Sequence, residues 1–126
     1  MTRTWTILLL GCCLANCTPK PPSIAGACYQ GRLVKKGTCG QRVVELLGKD
    51  DTRLELAKQW RDSLSGREYQ NVFTVANSCD FPANIQQGET FSFRLTASTG
   101  ASCVQCYAYT PVPTEKNNIL IGCTKQ

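Results

Sequence analysis

The sequence predicts an all-β domain, or a β-rich α+β one, small and stapled by disulfides. Three observations predict it. Apolar residues alternate with polar ones over short runs, the pattern of half-buried strands. Clusters of Gly, Pro, Asn and Ser punctuate those runs as turns. Nine cysteines fall in 126 residues, with no histidine at all. In an oxidising compartment so many thiols read as a disulfide framework. With 42% hydrophobic and 18% charged residues the chain has the composition of a folded domain.

The first element is an export signal. Arg3 is the positive start, and the apolar stretch runs from Trp5 to Ala15 with no charge before Cys17. It is far shorter than the about 20 residues a membrane-spanning helix needs, and has the size of a signal-peptide core. Its end resembles a lipobox, the processing signal of bacterial lipoproteins. A small residue there precedes a cysteine that receives diacylglycerol. Leu14-Ala15-Asn16-Cys17 gives the better apolar length, although Asn16 departs from the usual Gly, Ala or Ser. Leu9-Leu10-Gly11-Cys12 has the better local match but a shorter core. Cys17 is therefore the expected lipidation site and Cys12 the alternative. A plain secretory signal is the simpler reading. Processing at Cys17 leaves an even six cysteines, whereas Cys13 would leave an orphan thiol. The expected organisation is a leader over 1–16, the lipidated cysteine and a proline-rich tether over 17–27, and the domain over 28–126. Pro19, Pro21 and Pro22 favour an extended tether of about 3 Å per residue. The residue two places after Cys17 is not acidic, so an outer-membrane destination is expected.

Within the body, Gln41 to Leu47 reads as a strand after a Gly37–Gly40 turn. Asn71 to Ala76 is β-branched and aromatic, as strands prefer. Thr90 to Thr96 is the cleanest alternation, with Phe91, Phe93 and Leu95 on one face. Val104 to Tyr109 and Ile119 to Cys123 complete the set. Asp51 to Leu64 fits two periods. Leu54, Ala57, Trp60 and Leu64 partly match a helical stripe capped by Asp50 or Asp51, while Leu54, Leu56, Lys58 and Trp60 match a strand face. The helix is the reading adopted. Five or six strands with at most one short helix suggest a small barrel or sandwich, with an OB-like barrel as the best guess.

Cys28, Cys39, Cys79, Cys103, Cys106 and Cys123 are the disulfide candidates, with 15 connectivities open. Cys103 and Cys106 form a C-x-x-C, the spacing of a redox dithiol. Here the spacing lies in a strand-like run with no helix behind it, and residues three apart on a strand face opposite ways, so the two are expected to bond elsewhere. One C-x-x-C without histidine makes a poor zinc set, and no metal or cofactor is expected. Lacking histidine, the chain cannot run an imidazole-based mechanism. Asp50, Asp51, Glu55 and Glu45 offer a carboxylate pair of the kind glycosidases use, and read more simply as capping and solvated groups.

The net charge is +5, scattered from Arg32 to Lys125 and densest at Arg32, Lys35 and Lys36. This reads as a solvated surface in preference to a patch for anions. No nucleic-acid partner is expected. Trp60, Tyr69, Tyr107, Tyr109 and Phe73, with Arg94 or Arg67, could form a sugar- or peptide-binding face. Core and cross-strand packing is the plainer assignment for such aromatics.

Cys28-Tyr29-Gln30-Gly31-Arg32-Leu33, Gly37-Thr38-Cys39, Asn71-Val72-Phe73, Cys79-Asp80-Phe81-Pro82 and Cys103-Val104-Gln105-Cys106 together resemble a small family of cysteine-rich bacterial lipoproteins. The resemblance implies a lipid-anchored, palmitate-bearing envelope protein and supplies no activity. The functional expectation is a non-catalytic binding or structural module for a protein or glycan partner. The alternatives are an inhibitor of an exported hydrolase and, last, a redox protein using Cys103 and Cys106.

Overall fold

A computed structural model describes residues 26–103 and 108–124. The strands are β1 (Tyr29–Lys36), β2 (Arg42–Leu47), β3 (Ala57–Arg61), β4 (Glu68–Val75), β5 (Thr90–Leu95), β6 (Lys116–Asn117) and β7 (Ile119–Ile121). They form one sheet in the order β3-β4-β2-β1-β5-β7, with β6 beside β4. Every pairing is antiparallel except β4 with β6. The all-β expectation holds.

Among the described residues there is no α-helix, only a 3-10 turn over Ser78–Asp80. The helix expected over 51–64 is therefore corrected. The Asp51 carboxylate accepts the Arg53 N–H at 2.9 Å, and its carbonyl accepts the Leu54 N–H at 3.0 Å. Asp51 thus closes a single turn. Ala57 to Arg61 then pairs with β4, setting Trp60 directly opposite Tyr69. Long-range pairing overrides the partial helical stripe, and Leu64, which that stripe would bury, is 71% exposed.

With no helix to cover it, the sheet must bury its apolar face on itself. β4 and β5 are separated by β2 and β1, about 14 Å at normal strand spacing. Yet the rings of Phe73 and Phe93 lie 5.6 Å apart. The sheet is curled, and Leu33, Val44, Leu46, Phe73, Val75, Phe93 and Ile119 fill its inside. Gly31 makes room there: a Cβ would lie 2.8 Å from Val44 Cγ1 and 3.0 Å from Phe93 Cε1. The sheet does not close into a barrel, since its order ends at β3 and β7. Segment 116–121 runs from β4 to β5 without a continuous ladder: Lys116 and Asn117 lie along Thr74 and Val75, and Ile119–Ile121 along Phe93–Leu95. Two buried asparagines hold it. Asn77 exchanges hydrogen bonds with the Ile119 backbone at 2.8 and 2.9 Å, and Asn117 does the same with Glu55 at 2.8 and 3.0 Å.

Cys28 is bonded to Cys123 and Cys79 to Cys103, with Cα separations of 5.7 and 5.6 Å. Cys39, the remaining described cysteine, is disulfide-bonded as well. Residues 104–107, part of the strand expected over 104–109, lie outside the described residues. Ala108 and Tyr109 belong to no strand.

Candidate functional site

The outer side of the sheet carries a second apolar cluster of Val34, Val43, Ala57 and Val72, with Trp60, Tyr69 and Val112 packed on it. Two backbone irregularities build it. β1 slips register between Leu33 and Lys35, so Lys35, level with Val43, faces the same side of the sheet as Val34 and the second cluster, while Leu33, level with Val44, stays in the main core. Asn71 on β4 has φ 54°, a left-handed conformation that Asn tolerates better than most side chains.

The β3–β4 hairpin does not continue flat from the sheet. Lys35 is level with Val43, and Val43 with Thr74. Yet its ammonium lies 3.0 Å from the carboxylate of Asp62, whose N–H bonds to Arg67 O. Arg67 is seven residues before Thr74, about 23 Å along an extended strand. The hairpin therefore folds back over the outer face, with the turn at Asn71.

The Lys35–Asp62 pair pins this fold-back. Both side chains are nearly buried. Lys35 also donates to Pro111 O at 2.9 Å, and its ammonium sits 5.6 Å from the centre of the Trp60 ring. Asp62 accepts the Leu64 N–H at 3.0 Å. Burial pushes the Asp62 carboxyl up, but the Lys35 and Leu64 hydrogen bonds and the Lys35 charge outweigh it, and the net shift is downward.

Beside this anchor lies a recess of about 620 Å³, lined by Glu45, Gln59, Trp60, Arg61, Glu68, Tyr69 and Gln70. Its volume falls within the about 300–1,000 Å³ of ordinary ligand sites. Three cross-strand pairs make most of it: Gln59 with Gln70, Trp60 with Tyr69, and Arg61 with Glu68. The two rings are 5.9 Å apart and inclined by 24°. Both are half-buried, while Gln59, Arg61, Glu68 and Gln70 are exposed. Glu45 on β2 completes the wall and pairs with Arg32 at 3.2 Å.

Of the residues expected to form a binding face, the fold brings Trp60 and Tyr69 together. Phe73 is fully buried in the main core. Arg94 lies on β5 opposite Leu120, away from the recess. Tyr109 is 84% exposed and lines no part of the recess. Arg67 is exposed in the hairpin turn. Tyr107 and Cys106 lie outside the described residues, as do the lipidation candidates Cys12 and Cys17. Cys103 is bonded to Cys79, so the C-x-x-C is not the disulfide formed.

The basic run disperses into separate contacts: Arg32 pairs with Glu45, Lys35 with Asp62, and Lys36 donates to Ala83 O at 3.2 Å. The acidic group disperses likewise. Asp50 pairs with Lys58. Asp51 accepts from Arg53 at 3.0 and 2.6 Å and from the Tyr29 hydroxyl at 2.9 Å. The Arg53 hydrogen bonds hold the Asp51 carboxyl far below the usual range. Burial, then the bond to Asp51, pushes the Tyr29 phenol up. Among the described residues, no three His, Cys, Asp or Glu side chains gather as a metal site, and no helix is long and apolar enough to cross a membrane.

Comparison with protein-family models, curated proteins and solved structures finds no match to this chain.

Proposed function

We propose that the protein is an exported, lipid-anchored module of the cell envelope that binds a ligand in the β3–β4 recess and catalyses no reaction. One observation carries this reading. A recess of ligand-binding size is lined by a half-buried aromatic pair and by exposed amide and charged residues, on a hairpin pinned by a nearly buried ion pair. The pairing order supports an OB-like topology. β1, β2 and β4 lie side by side, β5 returns beside β1, and the last segment meets β4 in parallel and β5 in antiparallel fashion. In OB folds the face of the second and third strands is a ligand surface, and β2 and β4 hold those places here.

Disulfides persist in oxidising compartments, which supports export. Lipidation at Cys17, with Cys12 as the alternative, rests on the leader. Labelling cells with radioactive palmitate tests it: Cys17→Ser should lose the label. Retention in Cys17→Ser with loss in Cys12→Ser moves the anchor. No label in the native chain removes it.

The recess is tested by a photo-crosslinking amino acid placed at Gln59, with Lys49 as control. Adducts from position 59 alone support the reading, and equal yields at both positions defeat it. The inhibitor reading is favoured by one observation. Leu64 stands 71% exposed on a turn fixed by the Gly66 N–H to Asp62 O bond at 2.7 Å and the Leu64 N–H to Asp62 bond. A crosslink to an exported hydrolase from position 64 and none from 59 would select it.

A further inference from the structure

We infer that Lys36 and Arg42 form a phosphate-binding site at the β1–β2 end of the main core, separate from the recess. The two residues are direct cross-strand partners beside the β1–β2 turn. Partners in register project to one face of a sheet, with Cβ atoms about 4.5–5.5 Å apart. That face is the inner one. Val44, two residues on from Arg42 along β2, belongs to the main core. So does Phe81, and the Arg42 guanidinium lies 5.8 Å from the centre of its ring. The Lys36 ammonium reaches the same stretch of chain, donating to Ala83 O at 3.2 Å. Lys36 and Ala83 are exposed, so the pair stands at the rim of the core.

Like charges directly opposite one another destabilise a strand pair, and this pair has no counter-ion within the chain's own side chains. All nine Asp and Glu residues lie among the described residues. The ion pairs of 4.0 Å or less that they form are with Arg32, Lys35, Arg53 and Lys58. Arg42 is nevertheless only 8% exposed. Among the described residues its one hydrogen-bond acceptor is Gln41 O, reached from Nη1 at 3.2 Å, and its Nε is buried without a partner. A buried charge that lacks its anion is the costly half of an ion pair. Burial alone accordingly pushes the Arg42 pKa down.

Arg53 shows what such a side chain can hold. Its Nε and Nη2 grip the two carboxylate oxygens of Asp51 at 3.0 and 2.6 Å, the planar fork that matches carboxylate and phosphate alike. On Arg42 the same edge meets no acceptor among the described residues. Charge decides between the two anions. A carboxylate would neutralise one of the two cations. A phosphate monoester carries about −1.5 to −2 at pH 7 and matches both. It also has oxygens enough for the Arg42 fork and the Lys36 ammonium together. The anion approaches from the exposed Lys36 side, where the ammonium exchanges a neutral carbonyl for a charged acceptor, the stronger bond.

The test is calorimetric titration of the full chain at pH 7 with inorganic phosphate and with glycerol 3-phosphate. Sodium chloride holds the ionic strength constant, and acetate is the singly charged comparison. Both phosphates should bind saturably, and acetate should bind at least about tenfold more weakly for want of one charge-assisted hydrogen bond. Tighter binding of inorganic phosphate assigns the site to the free ion. Tighter binding of glycerol 3-phosphate assigns it to a phosphorylated headgroup or metabolite, and equal affinities assign it to the phosphate group itself. Lys36→Gln, at an exposed position, should keep the fold and weaken binding by about tenfold. Arg42→Met should abolish binding. In chloride buffer Arg42→Met should unfold in urea at a midpoint no lower than that of the native chain, because an unpaired buried charge is gone. Added phosphate should raise the midpoint of the native chain and leave that of Arg42→Met unchanged. No saturable heat with either phosphate overturns the inference. So does acetate binding as tightly as phosphate, or binding indifferent to both substitutions. A lowered midpoint for Arg42→Met in chloride, with no gain from phosphate in the native chain, would show that Arg42 serves only to pack on Phe81, and overturns it too.

Discussion

Lys35 and Asp62 lie 27 residues apart, one in a basic run and the other before a serine-rich turn, with nothing local to link them. Their pairing is a product of the fold-back, and its energetics belong to this scale. Asp62→Asn leaves the Lys35 ammonium nearly buried beside Trp60 without its anion. A loss of about 2–3 kcal/mol is expected in urea denaturation. Lys35→Met together with Asp62→Leu should recover most of it, because no charge is then left unpaired. The pH dependence follows from the signs. Asp62 and Asp51 titrate lower folded than unfolded, so their stabilisation is present above about pH 4 and is lost as pH falls through the folded values. Tyr29 titrates higher folded than unfolded, so its contribution is present below about pH 10 and is lost as pH rises through the folded value. Melting temperature against pH should therefore show a plateau between those limits. A maximum at acid pH would contradict the assignment. Gly31→Ala would drive a methyl into Val44 and Phe93, and should cost about 1–3 kcal/mol by chemical denaturation.

At the scale of elements, β5 is legible by alternation, β4 by its β-branched and aromatic residues and β7 by a short apolar run, while β2 follows a glycine turn. β1 was less visible. Gly31 holds a core position without an apolar side chain, and the bulge after Leu33 breaks the alternation. β3 was lost to a helix because its five residues carry only Ala57 and Trp60 as apolar groups, and its order comes from β4. The recess was half legible. Trp60 and Tyr69 stood out as aromatics, whereas Gln59, Arg61, Glu68 and Gln70 acquire meaning only once the hairpin register is known. Symmetry about Leu64–Ser65 was the signal available for that register. Asn71 is the residue on which the hairpin turns. Asn71→Ala should cost about 1–2 kcal/mol for the left-handed conformation, and Asn71→Gly should be nearly neutral. A red-shifted Trp60 emission in the alanine variant would report the hairpin lifting from Val34 and Val43. Equal stability of the two variants would show that the backbone at 71 is not the constraint.

For the whole molecule, the disulfides constrain long stretches of chain. The Cys28–Cys123 bridge closes a separation of 95 residues and Cys79–Cys103 one of 24. On chain entropy alone these stabilise by about 5 and about 3 kcal/mol, together comparable with a typical domain's net stability of about 5–15 kcal/mol. Cys28→Ser with Cys123→Ser should lower the denaturation midpoint more than Cys79→Ser with Cys103→Ser, and the reverse order would show that native-state strain governs. The first bridge also settles where mechanical load goes. β1 sits between β2 and β5 in the middle of the sheet. A pull on the chain ahead of Cys28 passes through sulfur to the segment beyond β7 as well as into β1. Traction is shared between two points of attachment, and the central strand is not drawn out alone.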